Sequence, residues 1–133
     1  MIKIYTDGSC YYRGGCGPGG WAAIIMLEPA GSIHLFGGEP LTTNNRMEMM
    51  GAIAALERID AGSSATVYSD SDLLVKCASG RWKTRANLDL WKRLRDAVDR
   101  HTAVEWQWIR GHNGDPINEL ADEIAGREAR RFL

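Results

Sequence analysis

The order of strand-like and helix-like segments constrains the fold of this chain more than any other feature of the sequence. Residues 2–6 alternate apolar and polar side chains, which predicts a strand, and residues 7–9 predict a turn after it. Residues 20–27 and 32–36 are two further predicted strands joined by a short hairpin. Apolar residues then recur at three-to-four spacing from Met47 to Leu56, which predicts a helix with Thr43 or Asn44 as its N-cap.

The second half of the chain continues with strands and helices in alternation. Residues 65–69 and 104–108 are predicted strands, residues 73–78 form a short predicted helix closed by Gly80, and apolar residues from Leu90 to Val98 mark a further helix. Asp115 and Pro116 supply the N-cap and first-turn proline of a final helix. A meander followed by crossover helices predicts an α/β fold: a mixed sheet with helices packed on its faces.

Length and composition limit the class of protein. A chain of 133 residues, 44% hydrophobic and 25% charged, is expected to form a single soluble domain over residues 1–133. It has no apolar run long enough for a membrane span and no signal-peptide pattern, so we expect a cytoplasmic protein without a membrane partner. Cys10, Cys16 and Cys77 lack C-x-x-C spacing, which argues against a disulfide framework or a zinc site.

Charge is distributed unevenly along the chain. The formal net charge is −1, which by itself argues against a nucleic-acid partner. Residues 1–72 carry four bases against eight acids, whereas residues 76–100 carry eight bases against three acids, interleaved with Trp82 and Trp91. The basic stretch is either a solvated helix face or a surface that follows phosphates.

Two predicted strands deliver an aspartate at the end where a ligand would bind. Asp7 follows residues 4–6, and Asp70 follows residues 67–69, in similar local sequences. Neighbouring strand ends of an α/β sheet meet at a crevice, and two carboxylates placed there favour a divalent cation such as Mg²⁺ with a phosphate substrate. The alternative is that either aspartate caps a turn or the following helix.

Other side chains could join these two aspartates. Glu48 lies one turn into the first helix, where it either reaches inward or forms a capping box with Asn45. Asp122 lies on the last helix, where Asp115, Glu119 and Glu123 compete with it for an inward role.

A histidine lies in a loop before the last helix, between two glycines. His112 is placed to assist proton transfer, since the imidazole pKa lies near physiological pH, or is a solvated loop residue. Gly15, Gly17 and Gly20 match G-x-G-x-x-G, but a strand follows them and Pro18 interrupts them, so they predict a tight β-turn region. The sequence also lacks a Walker A motif and a G-x-S-x-G elbow.

Taken together, these motifs give the chain a close resemblance to type 1 ribonuclease H that runs through nearly its whole length. The matching segments are Tyr5-Thr6-Asp7-Gly8-Ser9-Cys10, Gly17-Pro18-Gly19-Gly20, Thr42-Thr43-Asn44-Asn45-Arg46-Met47-Glu48, Ser69-Asp70-Ser71, Asp89-Leu90-Trp91, Gly111-His112 and Asn118-Glu119-Leu120-Ala121-Asp122. The resemblance implies a ribonuclease H-like fold: a three-strand antiparallel meander plus two parallel strands, flanked by helices.

It also implies an activity and its residues. The expected enzyme is a monomeric, metal-dependent endoribonuclease that hydrolyses the RNA strand of RNA/DNA hybrids with two Mg²⁺ ions, for which Mn²⁺ can substitute, leaving 5′-phosphate and 3′-hydroxyl ends. By position, the metal-binding carboxylates are Asp7, Glu48, Asp70 and Asp122, the loop histidine is His112, and the substrate-binding residues are Cys10, Thr43, Asn44 and Asn45.

Three departures from the family pattern stand out. The loop at residues 11–16 is longer than the common family form and contains Arg13. Asp72 adds an acid beside Asp70. The chain between Cys77 and Leu88 is too short for the basic protrusion that many family members carry. Weaker and more salt-sensitive hybrid binding is therefore expected. The alternatives are the ribonuclease H portion of a reverse transcriptase or mobile element, which a start at Met1 disfavours, and a non-catalytic hybrid-binding module.

Overall fold

The computed structural model describes residues 1–11, 16–111 and 114–133. Within these residues the elements, in chain order, are β1 (Ile2–Cys10), β2 (Gly17–Met26), β3 (Ser32–Thr42), α1 (Asn44–Arg58), β4 (Ser64–Ser69), α2 (Asp72–Ala78), α3 (Leu88–Asp99), β5 (Ala103–Trp108) and α4 (Pro116–Arg130). Every predicted element is present, and the predicted order is confirmed.

The strands form one five-stranded mixed sheet with the order β3-β2-β1-β4-β5. β1 pairs antiparallel with β2, and β2 pairs antiparallel with β3, which makes the predicted meander. β4 lies parallel to β1 on its other side, and β5 lies parallel to β4. The predicted fold class is therefore confirmed, with β1 at the centre of the sheet.

The strands of the meander are longer than the sequence pattern indicates. The predicted turn at residues 7–9 is wrong, because β1 continues to Cys10 and Asp7 pairs with Ala22 inside the ladder. The predicted turn is also wrong at Gly17 and Gly20, which lie in β2, while Gly15 lies outside the described residues. Glycines lie within these strands because a helix crosses the sheet closely there: an added Cβ on Gly20 would clash with the carbonyl oxygen of Ala125 in α4.

Helices cover both faces of the sheet, and the alternation along β2 shows how. Ala23 and Ile25 belong to the larger core cluster, which also contains buried residues of α1 and α3, whereas Ala22 and Ile24 pack with α4 on the other face. The period-2 alternation of a strand thus supplies two cores from one segment. Among the described residues, no helix combines the length and the apolar character needed to cross a bilayer.

Candidate active site

Parallel pairing brings two aspartates together in the middle of the sheet. Thr6 of β1 is the register partner of Ser69 of β4, so the next residue along each strand is Asp7 or Asp70. The end of β5 supports this edge, because the indole Nε1 of Trp108 donates to the Asp70 carbonyl oxygen at 3.2 Å. Residues separated by much of the chain in sequence are thereby held side by side.

Glu48 joins the aspartates because α1 lies very close to β1. An added Cβ on Gly8 would lie 2.5 Å from the backbone nitrogen of Glu48, so this approach requires a glycine. The Glu48 side chain is 4% exposed. The capping-box alternative is wrong: Thr43 is the N-cap, and its side chain accepts a hydrogen bond from the Arg46 N–H.

Asp122 interacts with Asp7 of this cluster, whereas its competitors on the last helix have other surroundings. Asp115 is the N-cap of α4 and accepts hydrogen bonds from the backbone N–H groups of Ile117 and Asn118. Glu119 and Glu123 are exposed. A side-chain hydrogen bond instead links Asp122 to Asp7.

The crowding of carboxyl groups perturbs their ionisation strongly. Burial, followed by the charge of Asp70 and the hydrogen bond with Asp122, raises the pKa of Asp7 from 3.8 to about 8. Burial, followed by the charges of Asp7 and Asp70, also raises the pKa of Glu48 well above its usual value. Like charges placed together in a desolvated site resist ionisation unless a cation neutralises them.

The donor set fits a hard divalent cation. Asp7, Glu48 and Asp70 each offer a carboxylate oxygen, and these oxygens lie within 4.8 Å of one another. In the part of the chain that the structure describes, the buried Glu48 Oε2 has no hydrogen-bond partner, so it is an unsatisfied acceptor within a cluster of acids. Carboxylate oxygens of this kind suit Mg²⁺ or Mn²⁺.

The four residues expected to bind substrate lie around the start of α1 and the end of β1. The Thr43 Oγ1 accepts the Arg46 N–H at 3.3 Å, a bond that uses a lone pair and leaves the hydroxyl hydrogen able to donate to a phosphate. Asn44 and Asn45 follow it and are exposed. The Cys10 thiol lies 3.6 Å and 3.5 Å from the carbonyl oxygens of Gly17 and Thr42, so it is directed into the protein.

Two residues that the sequence singles out lie outside the described part of the chain. These are His112, expected to assist catalysis, and Arg13, which belongs to the longer loop. Asp72, the additional acid, is the first residue of α2 and forms an ion pair with Lys76 at 2.9 Å instead of joining the carboxyl cluster.

The structure adds two features that the sequence patterns do not reveal. An added Cβ on Gly111 would lie 2.7 Å from the Asp70 Oδ2, so this glycine leaves room for a carboxylate of the cluster. In the sequence, the Gly111-His112 motif is the one signal that Gly111 lies near the site, and taken locally that motif indicates only a loop. Arg46 also bridges to Asn87 and Asp89, residues more than 40 positions away that no local pattern links to it.

A groove lies along residues 83–87, the segment where many family members carry the basic protrusion, and Ser71, which follows Asp70 in sequence, is part of its lining. Its floor is largely apolar, with Met49, Leu73, Leu74, Cys77 and Trp91. Its polar and charged lining residues are Asn45, Ser71, Lys83, Thr84, Arg85 and Asn87. Residues 79–87 connect α2 to α3 without a helix of their own. Among the residues that the structure describes, Lys83 and Arg85 have no acidic partner, so their charges face the groove region uncompensated.

Comparison with known proteins agrees with this architecture. The RNase H family model matches residues 1–130. The chain belongs to the RNase H family. Among its relatives are "Ribonuclease H" of Alcanivorax borkumensis, 45% identical with 95% of this chain and 89% of that protein covered, and "Ribonuclease HI" of Pseudomonas aeruginosa PAO1, 43% identical with 96% and 92% covered.

Solved RNase H structures share the fold of this chain. The N-terminal RNase H domain of Rv2228c from Mycobacterium tuberculosis superposes with a TM-score of 0.85 at 25% identity, covering 98% of this chain and 94% of that one. The alignment with the Alcanivorax RNase H spans 139 residues, which exceeds the 133 residues of this chain. This RNase H therefore lacks residues that the relative has.

Proposed function

We propose that this chain is an endoribonuclease that hydrolyses the RNA strand of RNA/DNA hybrids by a two-metal-ion mechanism, leaving 5′-phosphate and 3′-hydroxyl ends. The observation that carries the proposal is the buried group of Asp7, Glu48 and Asp70, whose ligand oxygens lie within 4.8 Å of one another in a chain of the RNase H family. A non-catalytic hybrid-binding module would have no use for such a costly cluster.

Asp7, Glu48, Asp70 and Asp122 are the residues proposed to hold the metal. The chemistry that two bound Mg²⁺ ions supply is activation of the attacking water and stabilisation of the leaving 3′ oxygen during in-line displacement. Mn²⁺ offers the same preference for oxygen ligands and is expected to substitute. The chain's own contribution is to hold the carboxylates in place before substrate arrives, through the β1–β4 register and the close contact between β1 and α1.

The remaining roles concern the substrate. Thr43 is proposed to bind a phosphate of the DNA strand, while Asn44, Asn45 and the backbone near Cys10 lie along the minor groove of the hybrid. Ribose 2′-hydroxyl groups are displayed in that groove and distinguish RNA from DNA. His112 is proposed to assist proton transfer to the leaving group or the departure of product. We further propose that the enzyme is a cytoplasmic monomer.

Cutting assays with matched nucleic acids test the activity. Labelled RNA/DNA hybrid, double-stranded RNA and double-stranded DNA are each incubated with Mg²⁺, with Mn²⁺ or with chelator, and the product ends are analysed. We expect metal-dependent cutting of the RNA strand in the hybrid alone. Absence of that cutting would refute the proposed activity, and cutting in the presence of chelator would refute the metal mechanism.

Substitutions test the proposed residues. Asp7→Asn and Asp70→Asn are expected to abolish cutting, whereas His112→Ala slows turnover without abolishing it. The matched control is Asp60→Asn, which removes one exposed carboxylate just after α1 and leaves cutting unchanged. Wild-type turnover in either cluster variant would contradict the assignment of the metal site. Light scattering in solution tests the monomer.

A further inference from the structure

Arg46 joins the first turn of α1 to the start of α3 through a three-bond bridge. Its Nη1 donates to the Asn87 Oδ1 at 3.2 Å and to the Asp89 Oδ1 at 3.0 Å, and its Nη2 donates to the Asp89 Oδ2 at 2.8 Å. The two bonds to Asp89 form the fork that a guanidinium makes with a carboxylate, which fixes direction as well as distance.

Both ends of this bridge lie at the groove. Asn45, the residue before Arg46, lines the groove from α1, and Asn87 lines it from the start of α3. Ser71, which follows Asp70, lines the same groove. The bridge therefore sets the separation of Asn45 and Asn87 across the groove.

Arg46 fixes the direction of the Asn87 side chain at the start of α3. Asn87 has a φ of 55° in the left-handed region, and its side chain makes no capping bond to α3 although it is the N-cap residue. The bond from Arg46 is the contact that orients it. Asparagine adopts the left-handed region readily, so the backbone conformation does not depend on Arg46. What the bond does is tie the Asn87 side chain, and with it the C-terminal end of residues 79–87, to α1.

The other end of residues 79–87 is anchored to α2. The backbone N–H groups of Arg81 and Trp82 both donate to the carbonyl oxygen of Lys76, at 2.9 Å and 3.1 Å, and the Lys76 ammonium lies 4.4 Å from the Trp82 ring centroid. Lys83 and Arg85 lie between the two anchors. Their positions in the groove therefore depend on both.

We propose that Arg46 is a positioning residue for hybrid binding: through Asn87 and Asp89 it holds Asn45, Lys83 and Arg85 in the arrangement that receives the nucleic acid. This inference rests on the proposed function and adds to it how a chain without the basic protrusion orders its groove. Arg46 acts through its neighbours, because the carboxylate of Asp89 already neutralises its charge.

Opposite substitutions in the bridge separate positioning from direct phosphate contact. Arg46→Ala removes a positive charge, whereas Asp89→Asn removes a negative one, and both break the fork. If Arg46 positions the groove, both variants raise KM for an RNA/DNA hybrid by roughly three- to tenfold and leave kcat within about twofold. Arg46→Lys keeps the charge but not the fork, so it is expected to resemble Arg46→Ala.

The same pair of helices provides a matched control. Arg93 of α3 makes a second forked bridge, to Glu57 near the end of α1, with distances of 2.9 Å and 2.7 Å, and neither residue lines the groove. Arg93→Ala and Glu57→Gln change the charge by the same amounts as the test variants. They are expected to leave KM unchanged, while all the variants keep thermal midpoints within about 5 °C of the wild type.

Hydrogen–deuterium exchange measures the positioning without substrate. We expect faster exchange in residues 79–87 of Arg46→Ala and Asp89→Asn, and wild-type exchange there in Arg93→Ala.

Unchanged exchange in the bridge variants would overturn the proposal even if the wild type cuts hybrid. An Asp89→Asn enzyme with wild-type or lower KM would overturn it in favour of direct charge contact, and an equal rise of KM in Arg93→Ala would overturn it in favour of general helix docking. Failure of the wild type to cut refutes the proposed function instead, while the exchange result still decides the positioning.

Discussion

Replacing Asp7 by asparagine is expected to stabilise the metal-free protein, although it removes a proposed metal ligand. Asp7 is 3% exposed, and burial first, then the charge of Asp70, raises its pKa from 3.8 to about 8. The unfolded chain ionises the same carboxyl near its ordinary pKa, so the folded protein binds more protons between about pH 4 and pH 8. The contribution of the Asp7 carboxyl to the free energy of unfolding is therefore greatest below about pH 4 and is lost as the pH rises toward 8.

The size of the effect follows from the width of that interval. Each pH unit corresponds to about 1.36 kcal/mol, so ionisable Asp7 lowers the free energy of unfolding at pH 7 by about 4 kcal/mol relative to pH 4. Glu48 shares a hydrogen bond with Asp7, so part of the free-energy cost of ionising this pair belongs to Glu48. We therefore expect Asp7→Asn to gain about 2–4 kcal/mol at pH 7 and less than about 0.5 kcal/mol at pH 4.

Urea denaturation in chelator at both pH values measures this gain, with Asp60→Asn as the control for loss of one exposed carboxylate. Added Mg²⁺ should stabilise the wild type by binding the folded state, and it should stabilise Asp7→Asn far less. Equal stability of variant and wild type at pH 7 would refute the reasoning. A gain of the same size at pH 4 would also refute it, because the effect would then be one of packing and not of charge.

Three further predictions concern the surroundings of the cluster. Gly111→Ala should weaken Mg²⁺ binding at least about tenfold, because the new Cβ would lie 2.7 Å from the Asp70 Oδ2. Isothermal titration measures the affinity, and a wild-type value would contradict this expectation. Asp72→Asn should leave Mg²⁺ affinity within about twofold, since its carboxylate pairs with Lys76 outside the cluster; a larger change in the same titration would show that it acts on the metal. Lys83→Ala should weaken hybrid binding and reduce the slope of log affinity against log salt by about 0.9, as measured by fluorescence anisotropy, and an unchanged slope would place this lysine away from phosphate.

Much of the fold could be predicted because secondary structure has a local signature. The helical spacing from Met47 to Leu56 and the N-cap at Asp115 are features of neighbouring residues, and the structure has helices at both places. The ends of the strands could not be predicted in the same way. The glycines before Trp21 look like a turn in isolation, and they form a strand because α4 lies against it and β1 and β3 pair with it.

The candidate site also combines features set by neighbouring residues with features set by contacts between distant segments. The sequence by itself determined the order of the elements and supplied Asp7 and Asp70 after similar strand segments, because alternation, caps and strand ends depend on residues a few positions apart. Local patterns left the acids of the last helix open, and the family resemblance pointed to Asp122. The tertiary structure alone decided how strongly burial raises the pKa of Asp7 and that Arg46 binds Asp89. These outcomes depend on dielectric surroundings and on contacts between distant segments, which no local pattern specifies.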